Sequence, residues 1–188
     1  MNLRDKNAAL LLVDFQVGFD DEAYWGGNRN NKDAEKNAVQ LLEKWRALNL
    51  PVFHAIHSSQ DPDSLLHQSH PGFEMKAELK PQADEPLYIK NVNSAFIGTR
   101  LKEDLEQQGI NTLVIVGLTT NHCISTTTRM AGNLGFDTLL VSDATATFDR
   151  KGINGEVFSS EIIHQTTLAN LQEEFAEIIS TEAVLSMV

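Results

Sequence analysis

Three residues in this chain carry chemistry that could act together. Cys123, the only cysteine among 188 residues, lies in the stretch GLTTNHCIS at 117–125. Asp14 interrupts the apolar run AALLLVDF at 8–15, and Lys90 closes LYIK at 87–90. A thiolate attacks a carbonyl carbon, and a carboxylate can take the thiol proton and return it to a leaving amine. A neighbouring ammonium stabilises the anions. Each residue alone is ordinary. A lone cysteine commonly packs as a small core residue, an aspartate after a strand commonly turns the chain, and a lysine commonly faces water. It is their joint placement at three strand ends that points to one site.

Those strand ends come from an alternation of apolar runs and helical periodicity. Residues 8–15 are almost wholly apolar, as expected of a strand covered on both faces. In 33–48, Ala34, Ala38, Leu41, Leu42, Trp45 and Leu48 share one helical stripe, with Asp33 as N-cap. Further strands are expected at 51–57, 87–90, 112–116, 138–142 and 176–179. Helices are expected at 99–108, at 123–134 and through most of 155–174. The pattern predicts an α/β fold: an open, doubly wound, mostly parallel six-stranded sheet with helices on both faces, Rossmann-like, in a single domain over 1–188. In such sheets ligands bind outside the carboxyl ends of the strands. The polar stretch 58–86 is long for a connection and reads as functional. Cys123 is expected near a helix N-terminus, where unpaired N–H groups favour a thiolate.

Composition narrows the partners. The net charge is -11, with hydrophobic content of 41%. No basic patch would bind nucleic acid or an anionic membrane, so neither is expected as a partner. The apolar run near the N-terminus is short and lacks a cleavage site, and one cysteine suits a reducing compartment. A cytoplasmic location is therefore expected.

Four segments together resemble the isochorismatase-like cysteine hydrolases: LLVDFQ (11–16), K..NSAF (Lys90 with 93–96), GLTTNHC (117–123) and SDATA (142–146). They fall in matching order over roughly residues 6 to 180. The resemblance implies a catalytic triad of Asp14, Lys90 and Cys123, with no cofactor. It implies a cis peptide between Leu118 and Thr119. An oxyanion hole would then form from the N–H groups of Thr119 and Cys123. It also implies a homo-oligomer, dimeric or higher, and a small-molecule substrate. The implied reaction is cleavage of a C–N bond in an amide, imide or lactam through a thioester. Isochorismate cleavage does not call for a thiol.

Other residues are substrate-binding candidates. Gln16 follows Asp14 and reads either as cleft polarity or as surface. Phe19, Tyr24 and Trp25 could wall a pocket or form a cluster under their loop, and Phe96 and Phe148 read the same way. Asn121 is a further candidate beside the cysteine. His122 is assigned a structural or interface role, since adjacent side chains seldom face each other. His54, His57, His67 and His70 tempt toward a metal. However, His54 and His57 point to opposite faces of a strand. Metal-dependent nicotinamidases of this family use an Asp-x-His pair where this chain reads HSSQDP. No metal is expected. A metal-assisted nicotinamidase-type amidase is the first alternative. The second is a non-catalytic binding or interaction module with an inert or redox-sensing thiol.

Overall fold

The structure, a computed structural model, describes residues 2–188. Its elements run β1 (Ala9–Val13), α1 (Glu22–Trp25), α2 (Ala34–Ala47), β2 (Val52–His57), β3 (Leu87–Lys90), α3 (Leu101–Gln107) and β4 (Thr112–Leu118). There follow α4 (Ser125–Asn133), β5 (Asp137–Ala146), β6 (Arg150–Lys151), β7 (Val157–Phe158), α5 (Ser160–Leu171), β8 (Glu177–Ile179) and α6 (Thr181–Ser186). Six strands form one sheet in the order β3-β2-β1-β4-β5-β8. Every pairing in it is parallel.

Two cores flank the sheet. Alternate residues of β1 divide between them: Leu10 and Leu12 pack toward α2 and α6, and Ala9, Leu11 and Val13 toward α3, α4 and α5. Both faces are therefore dry, which is why β1 carries no polar alternation. Helix α2 buries the expected stripe of Ala34, Ala38, Leu41, Leu42 and Trp45. The Trp45 indole N–H is not stranded there, because it donates to the Ala8 carbonyl at 2.9 Å.

Two expectations need correction. Residues 155–159 are not helical: 150–158 hold an antiparallel hairpin of β6 and β7, and α5 starts only at Ser160. The Ser159 hydroxyl accepts from Ile162 N and so fixes that start. The helix expected from Cys123 instead begins as a π-helical turn, Thr120–Ile124, that runs into α4.

The strand order reverses beside β1, whose neighbours are β2 and β4. That switch point opens a crevice at the carboxyl ends of these strands. It is kept narrow by Gly117, which has φ 141° and sits so close to β1 that a Cβ there would lie 2.0 Å from the Val13 carbonyl oxygen. Gly117→Ala is expected to destabilise the fold by about 3 kcal/mol through strain at that φ and displacement of β1 from β4. A thermal melt indistinguishable from wild type would contradict this.

Candidate active site

Asp14 leaves β1 with φ 54°, and its N–H donates to Ala55 O of β2 at 2.8 Å. Lys90 is the last residue of β3, two strands away, and its long side chain crosses to the switch point. Cys123 lies in the turn after β4. The sheet brings the three together. Lys90 Nζ donates to Asp14 Oδ2 at 2.8 Å and to Cys123 Sγ at 3.3 Å. The Asp14 and Lys90 side chains are both 0% exposed. The second carboxylate oxygen, Asp14 Oδ1, is buried and has no hydrogen-bond partner among the described residues.

The thiol is shifted in the direction opposite to the one a helix start would give. Burial pushes the Cys123 thiol well up, the Asp14 carboxylate adds to this, and the Lys90 ammonium pulls the other way. Asp14 and Lys90 already neutralise each other, so ionising the sulfur would leave a net negative charge in a dry site. Burial would lower the Lys90 pKa, but the Asp14 carboxylate outweighs it and holds the ammonium charged.

A cleft of about 210 Å³ opens onto the sulfur. Phe19 and Trp25 form one wall, with ring centroids 4.6 Å apart. They also stack on buried Phe148 at 6.4 Å each, so the wall and the cluster under the loop are the same object. Tyr24 packs edge-on against Trp25 and stays half exposed. Ser64 and Leu66 reach the cleft from the long 58–86 connection, and Thr119 and His122 from the nucleophile's own segment. The Leu118–Thr119 peptide is cis. The Thr119 N–H makes no hydrogen bond among the described residues. A hollow of about 300 Å³ lies beside Arg46 and Glu85, at the other end of the strands, and contains no nucleophile.

Three substrate-binding candidates are placed elsewhere. Gln16 is 0% exposed. Its amide donates to His57 O and Phe73 O and accepts from His57 N, at 2.9–3.0 Å, so it clips the end of β2 rather than facing the cleft. Phe96 stacks on Phe136 at 5.8 Å within the core beneath the site. The Asn121 side-chain Oδ1 accepts from the Thr147 hydroxyl and so ties the nucleophile turn to the end of β5. Conversely, His57, weighed only as a metal ligand, His122, assigned a structural or interface role, and Asn93 of the 93–96 motif all line the cleft. For His57 the signal was available, because it ends β2 just as Lys90 ends β3.

The four histidines are not gathered. His54 Nε2 bonds Glu85, His67 bonds Ser69, and His70 Nδ1 accepts from Gly72 N; only His57 reaches the cleft. One oxygen of Asp14, one ring nitrogen of His57 and the sulfur do lie within 4.8 Å of one another. A metal does not fit them. The Lys90 ammonium stands among all three, and a divalent cation there would meet a fixed positive charge.

Glu85 carries a stabilising role away from the site. Burial pushes its carboxyl up, but bidentate Arg46, the Gln82 N–H and His54 outweigh it and hold the pKa at about 2. Its contribution is present in full above the unfolded-state value of 4.5 and is lost as pH falls toward 2. Glu85→Gln is therefore expected to lower the melting temperature at pH 7 and to narrow its gap to wild type as pH falls from about 4.5 to 2. A gap that stays constant with pH would oppose this.

Fold and site together define the class: an isochorismatase-like hydrolase of α/β architecture, with an acid, a lysine and a cysteine at the sheet's switch point. The isochorismatase domain model matches residues 8–183, and this chain belongs to the isochorismatase family. It is 46% identical over 182 residues to the uncharacterized isochorismatase family protein YrdC of Bacillus subtilis, covering 97% of this chain and 96% of that one. It is 30% identical to nicotinamidase 3 of Arabidopsis thaliana, covering 95% and 89%. A crystal structure of an isochorismatase-family protein from Chromobacterium violaceum superposes with a TM-score of 0.94 at 37% identity, covering 100% and 96%. No helix among the described residues is long and apolar enough to cross a membrane.

Proposed function

We propose that this protein hydrolyses a C–N bond of a small amide, imide or lactam, with Cys123 as nucleophile. The observation that carries the reading is the Lys90 ammonium bridging the carboxylate and the sulfur at 2.8 and 3.3 Å, with the cysteine lining an open cleft. Asp14 Oδ1 is the unpartnered acceptor of a carboxylate that has one oxygen within 4.8 Å of the sulfur. As Sγ attacks the carbonyl carbon, Asp14 takes the thiol proton and Lys90 stabilises the developing anion. The oxyanion is received by the N–H groups of Thr119 and Cys123. Asp14 then protonates the leaving nitrogen, the C–N bond breaks, and a thioester remains. Water, giving its proton to Asp14, hydrolyses that thioester and restores the thiol.

The cleft lining supports a small and largely uncharged substrate. A volume of about 210 Å³ admits only a small molecule, and the aromatic pair suits a flat one. The likeness to a nicotinamidase points the same way. The test is a panel of small primary amides, imides and lactams, assayed for ammonia or ring opening, with acid-quenched mass spectrometry of the protein. Turnover together with an acyl adduct on Cys123 is the expected result. Turnover without any such adduct, undiminished in Cys123→Ala, would sink the covalent mechanism.

A further inference from the structure

An ammonium has three N–H donors, and a buried one needs three acceptors. The proposed mechanism uses two of the donors of Lys90, toward Asp14 Oδ2 and Cys123 Sγ. Nζ also lies 3.4 Å from Nδ1 of His57, which faces the third. The contact is long, as hydrogen bonds in resting active sites commonly are. No step above needs His57, yet its place is tightly determined. The Gln16 side chain grips the His57 peptide from both sides, accepting from its N–H and donating to its carbonyl, each at 3.0 Å. Gln16 thus substitutes for a neighbouring strand at the point where β2 ends. Nδ1 is the ring nitrogen turned toward Lys90, so the contact is a hydrogen bond when Nδ1 carries the lone pair and the ring proton sits on Nε2.

We propose that His57 is a positioning residue: its Nδ1 is the third acceptor of the Lys90 ammonium, and it keeps the other two N–H groups aimed at the carboxylate and the sulfur. The groups facing the ring agree with this. They are the Asp14 carboxylate after β1, the Lys90 ammonium of β3 and the Cys123 thiol after β4. Burial, and then the Lys90 charge, lower the pKa of His57, so the ring is neutral and can accept. Without that acceptor one ammonium proton is left unpaired in a dry site. The ammonium then relieves the deficit by shifting toward Asp14 or toward water, and the sulfur loses its donor. In this account Gln16 acts at one remove, by fixing the backbone that carries the ring.

The inference takes its catalytic meaning from the hydrolase reading, but it is tested without it. Cys123 is the only thiol in the chain, so alkylation by iodoacetamide followed by intact mass reads its nucleophilicity directly. The protein is compared at one neutral pH with His57→Leu, which keeps similar bulk and lacks an acceptor. The second comparison is His57→Asn, which lacks the ring but offers an oxygen near the position of Nδ1. Alkylation is expected to slow by about tenfold or more in His57→Leu, the loss expected for one charge-assisted hydrogen bond. In His57→Asn it is expected to stay within about threefold of wild type. A role in packing alone predicts the opposite order, because leucine fills an apolar wall better than asparagine. Equal rates in the two variants, or a wild-type rate in His57→Leu, would overturn the proposal. Thermal melts establish that each variant is folded, and His57→Met replaces His57→Leu if the latter is not. A failed amide panel leaves this result untouched, so the two readings stand or fall separately.

Discussion

Cys123→Ala is expected to lower amide turnover by about ten-thousand-fold or more, the scale seen when a covalent nucleophile is removed. The fold should survive. The side chain is small, and its loss leaves the Lys90–Asp14 pair intact, since that bond at 2.8 Å does not pass through sulfur. Cys123→Ser should be nearly as inactive as alanine. Burial and Asp14 already push the thiol up, and a hydroxyl, whose ionisation is intrinsically far harder, meets the same dry and net-neutral site. The check is ammonia release from the best substrate of the panel, alongside circular dichroism and a melt. Turnover kept in either variant would remove the sulfur from the mechanism.

The raised thiol changes which measurement can tell a catalyst from an inert cysteine. A depressed pKa would mark a thiolate waiting for substrate, and that is the usual signature sought. Here burial and the Asp14 carboxylate push the thiol up, and a protonated thiol beside the Asp14–Lys90 pair leaves the dry site with overall charge near zero. Such a site generates its nucleophile during attack, by moving the proton to Asp14 as charge builds on the substrate oxygen. An ordinary or high thiol titration is therefore compatible with catalysis. The adduct on Cys123 is the discriminating observation.

Much of the fold was legible because both faces of the sheet are covered. Unbroken apolar runs such as 112–116 have few alternatives to a central parallel strand, and strand ends then follow. That logic placed Asp14, Lys90 and Cys123 at one edge. What sequence could not supply was the direction of side chains within the loops. Gln16 is two residues from Asp14, yet its amide is consumed by the backbone of His57 and Phe73. Phe96 turns into the core because Phe136, forty residues on, is there to stack with it. His122 faces the cleft because the turn 120–124 is wound as a π-helix, which rotates the neighbours of Cys123 differently from an ordinary helix. The hairpin at 150–158 leaves no mark in the sequence, since its strands are two residues each, too short to show alternation.

The pair Asp14–Lys90 offers the second large effect, because it separates stability from activity. Both side chains are fully buried, so removing either one strands a charge. Lys90→Met leaves an unpaired carboxylate and is expected to destabilise the protein by about 3–5 kcal/mol. Asp14→Asn leaves an unpaired ammonium, with a similar cost reduced by whatever Lys90 sheds through deprotonation. The double variant Asp14→Asn/Lys90→Met removes both charges together. Its stability should recover to within about 1–2 kcal/mol of wild type, and it could exceed wild type only if the residual amide is well paired. Activity should follow a different course, with all three variants equally dead, since base and charge support are both needed to move the thiol proton. Chemical denaturation and ammonia release on the same preparations read the two quantities side by side. A double variant no more stable than Lys90→Met would show that the ion pair is not the source of the cost. A double variant with wild-type turnover would show that the pair is scaffolding, with the chemistry done elsewhere.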